Sequence, residues 1–247
     1  LSIDFTGGTV AQVKFDKDVE LTSLRSTLSG YGFKGAEIVE FGSPDEVLIK
    51  TQFSGSSSEI SEKLTTALGN IFTLRRVESV GPKIGKELQT DALKAIGLAL
   101  LLILIYIAFR FDRYYALGSV MALIHDVLIT LGIFSLLDYE INLSIVAAFL
   151  TIVGYSLNDT IVVFDRIREN IPKNMKDTLN NVVNISLNET LNRTVITSLT
   201  TMMVVTILFI WGGEVIKLFA FALIIGVFVG TYSSLFVASP VMVFFEK

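Results

Sequence analysis

Two hydropathy patterns divide this chain. Over residues 9–80, apolar positions recur at short and changing periods. Thr9-Val10-Ala11-Gln12-Val13-Lys14-Phe15 alternates with period two, as a half-buried strand does. Leu21, Leu24 and Leu28 follow at helical spacing, and that segment stops at Gly30 and Gly32. Residues 36–41 and 47–53 read as strands around a turn at Ser43-Pro44-Asp45. Gly55-Ser56-Ser57-Ser58 offers N-caps for a second helix through Ile60, Leu64 and Leu68, and 72–80 reads as a last strand. The order is βαββαβ, the split βαβ or ferredoxin-like pattern. Beyond residue 90 the period is lost in five apolar runs, about 92–109, 116–137, 143–164, 194–211 and 216–245. The first four match the roughly 20 residues that cross a bilayer, and the fifth is longer and needs tilt or an interfacial end.

The chain therefore reads as a polytopic α-helical membrane protein with a small α+β domain. Residues 1–85 form that domain, and residues 86–247 form the transmembrane part with a linker at 165–192. Gly81-Pro82-Lys83-Ile84-Gly85 is the expected hinge between them. A composition that is 51% hydrophobic agrees. The formal charge of −4 comes with no basic, aromatic-interleaved patch, so nucleic acid is not an expected partner. The absence of cysteine excludes disulfides and thiolate metal sites, and no cofactor or metal is expected.

Lysine and arginine orient the spans. Arg110, Arg113, Arg166, Arg168, Lys173, Lys176 and Lys247 fall on one set of connections. Asp138, Glu140, Glu214 and only Lys217 fall on the other. The basic side is cytoplasmic by the positive-inside rule. This predicts an extracytoplasmic N-terminal domain, a cytoplasmic C-terminus and a further helix ahead of residue 1, six in the full unit. Within the linker, Met175, Leu179, Val182, Val183 and Leu187 have the spacing of an amphipathic surface helix.

Ionisable groups inside the runs are the candidate chemistry, because a charge in lipid is costly and usually has a partner or a task. Asp126, after His125, sits near the middle of the second run. Asp159 sits in the third, and Arg193 opens the fourth. Thr151, Tyr155 and Asp159 fall on one helical face, with Ser156 beside them; Arg193, Thr197 and Thr201 do the same on the next run. Were these two helices antiparallel neighbours, Asp159 and Arg193 would share a depth. They would then exist either ionised and bridged, or with Asp159 protonated and Arg193 released. This is the minimum chemistry of proton coupling, with Asp159, Arg193 and Asp126 as its candidates and Tyr155, Ser156, Asn158, Thr160, Thr197 and Thr201 as supporting polar groups. The plainer alternatives are an interfacial anchor at Arg193, a static pairing at Asp159 and helix packing at Asp126. Gly154-Tyr155-Ser156 begins like a hydrolase G-x-S-x-G elbow, but Asn158 occupies the second glycine's place and the chain has one histidine.

Three stretches carry a family resemblance. They are Asp4-Phe5-Thr6-Gly7-Gly8, Val80-Gly81-Pro82-Lys83-Ile84-Gly85-Lys86-Glu87-Leu88, and the segment from Val153 to Asn170 that includes Gly154-Tyr155-Ser156-Leu157-Asn158-Asp159-Thr160. The chain resembles the SecF branch of the SecD/SecF family, within the RND superfamily, as a separate subunit or as the SecF half of a fused SecDF. The resemblance implies a non-enzymatic accessory of Sec protein translocation in the bacterial inner membrane, driven by the proton-motive force. Its implied partners are SecD, the SecY-SecE-SecG channel, SecA, YajC, YidC and the unfolded polypeptide in transit. It also implies that Asp159 is the proton-site carboxylate and Arg193 its arginine. An RND-type exporter of lipids or small molecules is the alternative, disfavoured by an outer domain of under 80 residues.

Overall fold

The computed structural model describes residues 1–33, 35–52, 55–69 and 71–246. Phe53, expected at a strand end, and Lys247, used for orientation, lie outside the described residues. The chain divides into two compact units, Leu1–Leu93 with Glu140–Leu143, and Lys94–Tyr139 with Ser144–Lys247.

Among the described residues, the first unit holds a four-stranded antiparallel sheet with the helices Leu21–Gly30 and Ser57–Leu68 on one face. Its strands are β1 (Gly8–Phe15), β2 (Glu37–Phe41), β3 (Ser43–Thr51) and β4 (Phe72–Val80), in the order β2-β3-β1-β4. A one-turn helix α1 (Ile3–Thr6) precedes β1, and α2 (Leu21–Gly30) and α3 (Ser57–Leu68) complete the ferredoxin-like order. Ala11, Val13 and Phe15 of β1 with Val47 and Ile49 of β3 bury one face of the sheet against Leu24, Leu28, Ile60 and Leu64. Strand alternation and helical spacing thus meet in one core. Ser56 caps α3 in a reciprocal capping box with Glu59. The hairpin turn differs from expectation. It falls at Gly42, whose φ of 78° suits a residue without Cβ, and Ser43-Pro44-Asp45 opens β3 instead.

The Asp4-Phe5-Thr6-Gly7-Gly8 stretch has a geometric reason. Gly7 has φ 75° and Gly8 φ 137°, and a Cβ on Gly8 would lie 2.5 Å from the Thr51 carbonyl oxygen. Asp4 Oδ2 accepts from the Leu143 N–H at 3.0 Å, and the Ser2 N–H donates to the Ile141 carbonyl at 2.9 Å. Lys50 and Glu140 pair at 2.9 Å.

Among the described residues, five helical segments are long and apolar enough to cross a membrane. They are α4 (Pro82–Arg110), α5 (Arg113–Leu136), α6 (Leu143–Asn170, with a short 3₁₀ turn after it), α7 (Leu179–Trp211), and α8 (Glu214–Ser233) continued by α9 (Ser239–Glu246). A π-helical turn, Ser234–Ala238, joins the last two, so the long fifth run carries a register shift. Residues 82–85 of the expected hinge form the first turn of α4, for which Pro82 is pre-organised, and α4 runs unbroken from it.

Most of the expected linker at 165–192 is helical. Helix α6 continues through its charged end to Asn170, and α7 is one helix from Leu179, with Thr178 as N-cap. No glycine or proline interrupts 179–211. Val182 and Val183, assigned above to a surface helix, are buried parts of this helix. Only 171–178 is left as a connection. Close packing centres on α5, α6 and α8. A Cβ on Gly118 would fall 2.5 Å from the Ala238 carbonyl, and one on Gly226 would meet the Ile152 side chain at 2.2 Å.

Candidate functional site in the helical bundle

Asp126 is fully buried on α5. Its Oδ2 accepts from Ser156 Oγ on α6 at 2.5 Å and from Ser233 Oγ on α8 at 2.8 Å. His125 Nδ1 lies 3.0 Å from Oδ1, and the His125 ring stacks on Tyr232. One carboxylate thus gathers donors from three helices. This is what a charged group needs when water is excluded. Gly230 permits the approach of α8, because a Cβ there would touch Ser156 at 3.1 Å.

Asp159 is different. It is 4% exposed, and its Oδ2 has no hydrogen-bond partner among the described residues. The expected bridge to Arg193 is not formed: among the described residues no ion pair within 4.0 Å joins them, and Arg193 is exposed. The reason is helical phase. Consecutive residues on a helix point about 100° apart, and on α7 it is Thr194 that is buried. Arg193, one residue before it, is exposed, and its charge still acts on Asp159.

The supporting groups divide. Tyr155 Oη donates to Ser198 Oγ at 3.3 Å, and Ser198 and Thr231 hydroxyls pair at 2.7 Å, joining α6, α7 and α8. Ser156 belongs to the Asp126 cluster. Thr160, Thr197 and Thr201 return their hydroxyls to carbonyls of their own helices, and Asn158 is exposed. Ser233 and Thr231 were not among the sequence candidates. Their signal was a hydroxyl in an apolar run, which is too common to single out without knowing the facing helix.

At the far end of α6, Asp165 pairs with Arg110 at 2.6 Å, and Arg166 pairs with Glu169 at 2.9 Å and Glu189 at 2.7 Å. Asn170, buried, donates to Glu189 at 2.6 Å and Ser186 at 3.1 Å. These groups tie α4, α6 and α7 at a polar rim and stand apart from Asp126 and Asp159 along the chain.

A split βαβ sheet domain followed by membrane-length helices that bury Asp126 and Asp159 defines a multi-pass membrane protein with a small α+β domain. Residues 60–247 match the model of the protein export membrane protein SecD/SecF C-terminal region, and residues 1–19 match the SecD/SecF GG motif. The chain belongs to the SecD/SecF family. It is 48% identical to the protein translocase subunit SecF of Calditerrivibrio nitroreducens, over 97% of this chain and 82% of that protein. It is 47% identical to that of Vibrio alginolyticus, over 96% and 77%. It also superposes on a crystal structure of SecDF, a translocon-associated membrane protein from Thermus thermophilus, with TM-score 0.88 and 43% identity. That match covers 99% of this chain and 34% of that one. Against SecDF in a super-membrane-facing form, the TM-score is 0.71 at 42% identity, again with 34% of that chain covered.

Proposed function

We propose that this chain is the SecF component of Sec-dependent protein export and couples the proton-motive force to movement and release of secreted polypeptides on the extracytoplasmic side. It acts with SecD, as a separate subunit or a fused half, beside SecY-SecE-SecG and SecA, with YajC and YidC. It performs no covalent chemistry. It lies in the bacterial inner membrane with residues 1–85 outside and the C-terminus in the cytoplasm, the orientation that the lysine and arginine bias supports.

One observation carries this reading. Asp159 is a buried carboxylate within a membrane-length helix, and its Oδ2 has no hydrogen-bond partner among the described residues. A permanently ionised group so placed is expensive, whereas one that takes up and releases a proton has use for incomplete pairing. Protonation neutralises Asp159 and removes the need for α6 to seek a donor. Helices α6 and α7 then shift against the partner subunit, which meets Arg193 on the exposed side of α7, and the sheet domain follows. A proton crossing 100 mV releases about 2.3 kcal/mol, which biases a two-state element roughly 50-fold.

The test is export by the full-length protein carrying Asp159→Asn, with and without a proton gradient. Asparagine keeps the shape and abolishes titration. Loss of gradient-dependent export, with assembly intact, is the expected result. Export that still responds to the gradient at the normal rate removes Asp159 from the coupling path and leaves Asp126 or the partner to carry it.

A further inference from the structure

The Asp4-Phe5-Thr6-Gly7-Gly8 turn is seated by its backbone. A Cβ on Gly7 would lie 2.8 Å from the Pro82 Cα at the start of α4. One on Gly85 would lie 3.0 Å from the Gly7 nitrogen and 3.1 Å from the Phe5 carbonyl oxygen. With Gly8 against Thr51, the turn is close-packed on both β3 and the first turn of α4. Asp4 projects from this seat. Its Oδ2 accepts, at 3.0 Å, from the N–H of Leu143, the first residue of α6.

Residues Glu140–Leu143, which lead into α6, belong to the same compact unit as the sheet. The contacts that hold them there differ in what they can transmit. The Ser2 N–H to the Ile141 carbonyl is a backbone bond in the loop. Lys50 and Glu140 form a partly exposed ion pair, which is weak and adaptable. The bond to Asp4 ends on the helix itself. An N–H of a first helical turn has no partner within its own helix, and a carboxylate is the favoured group at that positive end. From Leu143 the helix runs without proline to Asn170, and Asp159 lies about 24 Å along it.

We infer that Asp4 is the positioning residue through which α6 moves the sheet domain. The helix that carries Asp159 starts at the Asp4 carboxylate, and that carboxylate stands on a turn packed against β3 and α4. A displacement of α6 therefore reaches the sheet at Asp4 instead of being absorbed in the loop ahead of the helix. This role rests on the proposed proton role of Asp159 and deepens it, because it names the link between the proton site and the domain that acts on the polypeptide. The glycines serve the same link. A side chain at Gly7 or Gly8 would lift the turn from Pro82 or Thr51 and carry Asp4 with it.

Hydrogen exchange of the full-length protein assembled with SecD in proteoliposomes, with and without a proton gradient, tests this. In the parent, the gradient changes exchange both in α6 and in the β1 and β3 amides. Asp4→Ala keeps the α6 response and loses the sheet response, and its gradient-dependent export falls about tenfold. Leu143→Pro removes the donor instead of the acceptor, at an exposed first helical position that suits proline. It gives the same pattern, and the double variant is no worse than either single one. Leu143→Pro decides the matter if Asp4→Ala does not assemble. A sheet response retained in an assembled variant, or lost together with that of α6, overturns the role of Asp4 and leaves the proton reading of Asp159 intact. A parent whose sheet does not respond to the gradient overturns it too. If export is then still gradient-driven in Asp159→Asn, the proton reading falls with it.

Discussion

Ser156 Oγ lies 2.5 Å from Oδ2 of Asp126, and through this contact the helix that carries Asp159 is fastened to its neighbour at the buried centre of the bundle. Ser233 donates to the same oxygen from a third helix. A hydrogen bond contributes about 0.5–1.5 kcal/mol. Ser156→Ala and Ser233→Ala are each expected to lower stability by about that amount. Asp126→Ala, which removes the acceptor of both hydroxyls and leaves Ser233 only the Gly230 carbonyl, is expected to cost more than either. Thermal unfolding in nanodiscs measures the order, and equal effects for all three would show that Asp126 does not organise the cluster.

Gly226 and Ile152 are fitted to one another. Alanine at 226 would place its Cβ 2.2 Å from the Ile152 side chain, which is itself buried. The overpacking is expected to cost about 1–3 kcal/mol. Ile152→Val added to Gly226→Ala should recover part of it, giving a favourable coupling energy in a double-mutant cycle. Gly132 and Gly154 meet nothing within 4 Å, and alanine there should stay within about 0.5 kcal/mol of the parent.

Gly8 combines a φ of 137° with the Thr51 carbonyl where a Cβ would stand. Gly8→Ala is therefore expected to cost about 1–3 kcal/mol from strain alone, with displacement of β3 besides. Hydrogen exchange of the β1 and β3 amides reports it. Gly42→Ala, at φ 78° in open space, should cost less. A larger loss at Gly42 would mean that the close approach of β1 to β3 is unimportant.

Asp45 titrates below the usual aspartate value. The Ser43 hydroxyl donates to Oδ1 and is the larger cause; Lys14, 3.2 Å from Oδ2, is the second. The folded carboxyl ionises at lower pH than the unfolded one. Its stabilisation is complete above the unfolded value and is lost as the pH falls through the folded one. Ser43→Ala and Lys14→Gln should each raise the midpoint toward the ordinary range, as read by carbon NMR of the Asp45 side chain. A midpoint unmoved in both variants would show that neither group holds the carboxyl down.

Much of this protein was legible in its sequence because local physics repeats itself along a chain. Period-two alternation at Ala11, Val13 and Phe15 and helical spacing at Leu24, Leu28, Ile60 and Leu64 specified the sheet domain. Apolar runs of bilayer length specified the spans, and a carboxylate inside one of them singled out Asp159. The resemblance at Asp4–Gly8 and around Asp159 led to the SecD/SecF family. What the sequence left open were relations between helices. Spacing put Arg193 at the depth of Asp159, but a difference of one residue turns a side chain by about 100°, and only the packed bundle made Thr194 the residue that faces inward. Asp126 was visible as a buried acid, while its donors Ser156 and Ser233 are separated from it by 30 and 107 residues. A hydroxyl in an apolar run carries no mark of the partner it will meet; that is decided when close-packed helices, with Gly118, Gly226 and Gly230 at their contacts, fix register and rotation together.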